Sequence, residues 1–233
     1  KMFFKSIEKI FKKDVLKDSK IIFCCDPGSC TLSENAKLWR KEIYQDYKGN
    51  RQDMSLKHNL YPVFNKTLDS IIPDLINTSY AEDITLIKIP KIEADDIIAY
   101  ICKNIILDKY SEINILSADD DFTQLLNENT RIIDFRTKKF RENNAEESKK
   151  LLLHKILNGD NSDNIKRIFT KRVKKAFKTE LVEDSVKLQK YLDENPEEKE
   201  KFLINQRLID FNFIPEEINI KIKKIIDKYE IIV

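Results

Sequence analysis

A repeated order constrains this chain more than any other feature: a short β-rich run, an acid close to where the run stops, then a helical pattern. Ile21-Ile22-Phe23-Cys24-Cys25 runs into Asp26-Pro27-Gly28. Thr85-Leu86-Ile87-Lys88-Ile89 stops at Pro90, and the stretch from Glu93 to Leu107 follows with Ile97, Ile98, Ile101, Ile105 and Ile106 at helical spacing. Ile113-Asn114-Ile115-Leu116 leads into Asp119-Asp120-Asp121, and Ile132-Ile133-Asp134-Phe135 forms a fourth run. Strands separated by helices predict an α/β fold with a central, mostly parallel sheet. Ligands of such sheets bind beyond the carboxyl ends of the strands. Those ends are where function is to be sought.

Around this frame the remaining segments read as helices. Phe3, Phe4, Ile7, Ile10, Phe11, Val15 and Leu16 share one face over 2–17, and a polar helical stretch runs from about Ser33 to Tyr47. Gln52 to Asn77 reads as a partly exposed helical region. Strand signals fade after Lys138, which divides the chain into a core over 1–138 and a helical region over 139–233. Asp193-Glu194-Asn195-Pro196-Glu197-Glu198 reads as an exposed turn.

Composition narrows the chemistry. Hydrophobic residues make up 41% of the chain, enough for a core. The three glycines form neither G-x-G-x-x-G nor G-x-x-x-x-G-K-[ST], so glycine-rich phosphate loops are excluded. Cys24, Cys25, Cys30 and Cys102 contain no C-x-x-C pair and are expected as free thiols in a reducing compartment, the cytoplasm. No apolar run reaches the length of a membrane span, and no signal peptide is visible. With only two histidines, His58 and His154, hydrolytic chemistry would fall to carboxylates.

The acids are placed for it. Glu93 and Asp96 are three apart and share a helix face, with Asp95 between them. Asp119 and Asp121 are two apart and point the same way if extended. Gly159-Asp160-Asn161-Ser162-Asp163-Asn164 adds a further pair. Converging carboxylates repel one another unless a cation neutralises them. Hard divalent cations take oxygen ligands, and two of them can activate water for phosphodiester hydrolysis. Taken singly, each acid has a plainer reading as a helix cap or turn residue. Their recurrence at strand ends is what favours a site. Separately, Lys166, Arg167, Lys171, Arg172, Lys174, Lys175 and Lys178 occur with no acid among them in a chain of net charge +2. An unbalanced block of this kind fits phosphate contact better than an ordinary solvated face.

Four ordered motifs resemble one family. Trp39-Arg40-Lys41 with Tyr47-Lys48-Gly49-Asn50-Arg51 is similar to its W-R and Y-K-x-N-R segment, and Glu93-Ala94-Asp95-Asp96 to its E-A-D-D box. Ser117-Ala118-Asp119-Asp120-Asp121-Phe122-Thr123-Gln124-Leu125 resembles S-x-D-x-D-F-x-Q-L, and Gly159 to Asn164 resembles G-D-x-x-D-N. This is the flap endonuclease or 5′-nuclease family, and the likeness spans roughly residues 20 to 230. The resemblance implies a metal-dependent 5′-3′ exonuclease and flap endonuclease with RNase H-type removal of RNA primers. Asp26, Glu93, Asp95, Asp119 and Asp121 would hold two Mg2+ ions, which Mn2+ could replace, with Asp96, Asp160 and Asp163 as outer ligands. Lys48 and Arg51 would grip the scissile phosphate at the base of a helical arch over 52–77. Arg40, Lys48, Arg51, Lys166, Arg167, Lys171, Arg172, Lys174 and Lys175 would contact nucleic acid, the later ones on a helix-turn-helix-like element that in the family often holds K+. Expected partners are DNA with 5′ flaps or ends, RNA–DNA hybrids and, by analogy, a single-strand binding protein or sliding clamp. A monomer with no membrane association is expected, in the host cytoplasm if the gene is a phage's.

The pattern departs from the family in places. The sequence opens on helix-like Lys1-Met2-Phe3-Phe4 where relatives have a strand with an early metal-binding Asp, so that acid lies either outside this sequence or is lost. No glycine falls between Asn164 and Lys178, which weakens the K+ expectation. Asp120 adds a charge where relatives usually carry Gly or Lys. A catalytically impaired flap- or junction-binding relative and a PIN-like ribonuclease are the alternatives.

Overall fold

The computed structural model describes residues 7, 9–11, 13–27, 38–50, 83–104, 112–141 and 144–229. Arg51 and the arch expected over 52–77 lie outside them, as do parts of the helices expected over 2–17, 33–47 and 93–107.

Helix α1 (Lys13–Lys17) leads into strand β1 (Lys20–Cys25), and α2 (Arg40–Ile43) precedes β2 (Asp83–Lys88). β1 and β2 pair in parallel, from Lys20 opposite Asp83 to Cys25 opposite Lys88. Helix α3 (Ala94–Asn104) then leads to β3 (Ile113–Leu116), a 3-10 turn at Asp120–Leu125, β4 (Thr130–Asp134) and β5 (Lys139–Phe140). β3 and β4 are parallel, and β5 returns antiparallel on β4. The parallel α/β expectation therefore holds. Among the described residues, however, the strands fall into a two-stranded and a three-stranded sheet rather than one. A common apolar core joins them: Ile87 of β2 and Ile89 just after it share one cluster with Ile115 and Ile132 of the second sheet and Ile97 and Ile101 of α3.

The remaining helices are α4 (Ala145–Asn158), α5 (Lys175–Glu183), α6 (Ser185–Glu194), α7 (Pro196–Ile209) and α8 (Glu216–Asp227). Asn144 and Glu147 close a reciprocal capping box on α4. A second core, including Leu157, Ile168, Leu181, Leu192 and Phe202, holds α4 to α7 together. Helix α8 belongs elsewhere. Its Ile218, Ile222 and Ile226, spaced four apart on one face, pack into the first core. The division expected at residue 138 therefore does not separate the two cores. None of the helices among the described residues is long and apolar enough to cross a membrane.

The segment expected as an exposed turn over 193–198 is instead a tight junction. Only Asn195 separates α6 from α7, and Pro196 takes the first helical position, where its missing N–H costs nothing. Glu198 is 6% exposed. Its carboxylate accepts from the Thr170 N–H (2.9 Å), the Thr170 hydroxyl (2.8 Å) and the Tyr191 hydroxyl. Those bonds hold its pKa below the usual range although burial pushes the other way.

Candidate active site

The strand ends carry the acids as expected, and local structure fixes each one. Asp26 follows β1, and its Oδ1 accepts the Ala94 N–H (2.9 Å), capping α3 from a distant segment. Because α3 begins at Ala94, Glu93, Asp95 and Asp96 all sit at its positive end. After β3, the Asp119 carboxylate accepts the Asp121 N–H (2.9 Å) and starts the 3-10 turn.

The E-A-D-D box divides into two roles. Asp96 is 0% exposed. It takes bonds from Trp39 Nε1 (2.7 Å) and from both terminal nitrogens of Arg40 (2.7 and 3.0 Å). Arg40, 3% exposed, also reaches Glu93 (2.8 Å) and the Leu208 carbonyl (2.9 Å). Burial favours discharging the guanidinium, but Asp96 and Glu93 outweigh it and hold the proton more tightly than in water. Arg40, expected at nucleic acid, is placed as an internal ion-pair partner, and the Asp96 carboxylate, expected as an outer ligand, is engaged by Trp39 and Arg40. Glu93 is itself 2% exposed, and besides Arg40 it receives Lys48 Nζ and the Tyr47 hydroxyl (3.2 Å).

Asp95, on the adjoining face, receives no such donors among the described residues. Burial first, then the charges of Asp26, Glu93 and Asp119, push its carboxyl up to about 7, with Lys48 opposing. Asp121 is also raised, chiefly by burial, although Lys155 opposes it. The Lys155 ammonium bridges Asp121 and Asp160 (2.8 Å to the latter). Asp160 is partly buried, yet Lys155 and Ser162 hold it low. The Asp163 carboxylate accepts from the Tyr47 hydroxyl (3.0 Å). Asp120 points away, 85% exposed at its side chain, and pairs with Arg141, so its charge is met outside the cleft.

This donor set suits a hard divalent cation. It is all oxygen, partly desolvated, and still mutually repulsive with two lysines nearby. Among the described residues no three acids already surround a single point. Instead, Lys48 and Lys155 stand as local counter-charges.

Lys166, Arg167, Lys171, Arg172, Lys174 and Lys175 are all exposed. They lie on the irregular segment between α4 and α5, and Lys175 only begins α5. The basic run is thus a loop rather than a helix face. Lys155 was not foreseen. Its signal was a lone cation in the apolar run Leu151-Leu152-Leu153-His154-Lys155-Ile156-Leu157, shortly before Asp160. Tyr47, read as a core or stacking residue, is indeed buried, and its hydroxyl also reaches two acids.

Residues 1–152 match the family profile described as "5′-3′ exonuclease, N-terminal resolvase-like domain". The ribonuclease H of Enterobacteria phage T4 is 29% identical over 94% of this chain and 73% of that protein. The flap endonuclease Xni of Psychromonas ingrahamii is 32% identical over 46% of this chain and 36% of its own length. A 5′-3′ exonuclease of Aquifex aeolicus is 30% identical over 56% and 43%. Among solved structures, T5 5′-exonuclease with bound zinc ions superposes at a TM-score of 0.67, with 18% identity, covering 97% of this chain and 90% of that one. A bacteriophage T5 flap endonuclease in complex with DNA and metal ions gives 0.64 at 18% identity, covering 96% and 90%. At these identities the superpositions establish the fold.

Proposed function

Because the chain belongs to the 5′-3′ exonuclease family, we propose that its strand-end acids form a divalent-metal site that cuts phosphodiester bonds near 5′ ends. The observation that carries this is Asp95, a half-buried carboxyl beside the buried Glu93, held up to about 7 by desolvation and by three other acids. Such a cluster is stable in charged form only with a cation in it. Asp26, Glu93, Asp95, Asp119 and Asp121 would hold Mg2+, with Asp160 and Asp163 acting through water. When bound, the metal supplies the positive charge against which water becomes nucleophilic and the leaving oxygen is stabilised.

The chain's own residues do the rest. Arg40 and Tyr47 orient Glu93 from its buried side. Lys48, partly buried beside Glu93, presents an ammonium to the scissile phosphate. Lys155 holds Asp121 and Asp160 together in the metal-free state and is a second cation for the phosphate. The exposed loop from Lys166 to Lys174 contacts duplex phosphates, which position the substrate without reading its sequence. Arg51, just after the Lys48 turn, is proposed as a further phosphate contact. The substrates proposed are 5′ flaps, in keeping with the flap endonuclease among the relatives, and RNA primers on DNA, in keeping with the ribonuclease H, with a sliding clamp or single-strand binding protein as the proposed partners in replication.

The test is a labelled 5′-flap duplex and an RNA–DNA hybrid, each with magnesium and with chelator. Magnesium-dependent release of short products from the 5′ end is expected, and Asp119→Asn or Asp121→Asn should remove it while the protein stays folded. Full turnover in either variant would sink the site. Tight binding without cutting would identify an impaired flap-binding relative instead.

A further inference from the structure

Two turns that lie 111 to 118 residues apart in sequence grip one another beside the cleft. One is Tyr47-Lys48-Gly49-Asn50. The other runs from Gly159 to Asn164, and both Asn50 and Asn164 sit in recognisable motifs without a role in the chemistry above. Lys48 donates its backbone N–H to the Asp163 carbonyl (2.8 Å). Asn164 Nδ2 donates to the Asp46 carbonyl (2.8 Å), and Asn50 Nδ2 donates to the Asn161 carbonyl (2.7 Å). Each turn thus offers an amide to the other's backbone.

The backbone explains why a lock is needed. Lys48 has φ 55 and Asn164 has φ 59. The left-handed region is unfavourable for an ordinary side chain, and asparagine tolerates it better than lysine. A lysine there persists only when its surroundings hold it. Gly159 closes the second turn: at φ +73 a Cβ would come within 2.3 Å of the Ile165 carbonyl oxygen.

We propose that Asn164 and Asn50 are positioning residues, locking the two turns so that the Lys48 ammonium is held against Glu93. The proposal rests on the nuclease reading above, in which Lys48 faces the phosphate. It carries a consequence for substrate engagement. The second turn leads directly into the basic loop, so a duplex seated on that loop and a phosphate gripped by Lys48 are held to one rigid joint.

The experiment compares Asn164→Gly with the unchanged protein, because glycine keeps the left-handed backbone and removes only the amide. With the flap duplex in single-turnover assays, the maximal rate should fall about tenfold, with half-saturation moving less than about twofold. In a Lys48→Met background the same change should have no further effect, since its route of action is already gone. In metal-free protein, hydrogen exchange at the Lys48 amide should accelerate. Equal losses in both backgrounds, or an unchanged rate with unchanged Lys48 exchange, would overturn the proposal. If the unchanged protein cuts nothing, the nuclease reading falls, and the Lys48 exchange measurement still decides whether the lock exists.

Discussion

The strand-end cleft and the α6–α7 junction both bury carboxylates, and they treat them oppositely. Glu198 is buried among three donors, and its pKa is lowered. Asp95 is half-buried beside three acids, and its pKa is raised. Burial alone therefore does not decide what an acid is for; the supply of donors does. The junction completes its own polar network. The cleft leaves one incomplete, and that incompleteness is where a cation finds purchase. Asp95 and Asp96 repeat the contrast between neighbours in sequence, because Asp96 takes Trp39 and Arg40 while Asp95 takes neither.

The sharpest way to break the contrast is Asp95→Asn. Flap cutting should vanish, yet the metal-free protein at pH 8 should gain about 2 kcal/mol, or about 4–8 °C in melting temperature. A loss of both activity and stability would place Asp95 with Asp96 as a structural acid. The opposite substitution is Glu198→Ala, which strands the Thr170 and Tyr191 donors. It should cost about 3 kcal/mol, or about 6–12 °C, while leaving cleavage intact at low temperature.

The pH dependence should differ in sign between the two sites. Asp95 has a folded pKa near 7 against an ordinary value of 3.8. The folded state holds that proton more tightly than the unfolded state, so stability falls as pH rises through this window. Glu198 is depressed, so its contribution is present above its unfolded pKa and is lost as pH falls through the folded one. Metal-free melting temperatures should decline from pH 5 to pH 8 in the unchanged protein, and the decline should flatten in Asp95→Asn. A flat profile in both would remove Asp95 as its source. The smallest effects belong to the loop: Lys171→Ala or Lys174→Ala should weaken duplex binding a few-fold and lower the salt slope by about 0.9 each, leaving the cutting rate of bound substrate unchanged.

Hydrophobic period made the strands legible, and the acids at their ends followed. The shared face of Glu93 and Asp96 was also readable from spacing. What spacing could not tell was that this face turns inward, because its partner Arg40 lies 56 residues before Asp96. The junction at Asn195 carried a local signal that favoured a helix start: Pro196 at a first-turn position followed by two glutamates. The run of polar residues hid it. The basic block was visible as charge, but its loop conformation is set by the Thr170 to Glu198 bonds and the packing of Ile168 and Phe169, which are tertiary facts.

Helix α8 has a bearing on how the chain matures on the ribosome. Ile218, Ile222 and Ile226 complete the apolar layer against which α3 and the strands rest. Domains tend to consolidate from the N-terminus as they emerge, at roughly 5–20 residues per second. Here the cleft's scaffold must wait for a segment translated long after its acids. A nascent chain that has made every acid of the site still lacks the helix that steadies them, so cutting power waits until α8 has been made and has docked.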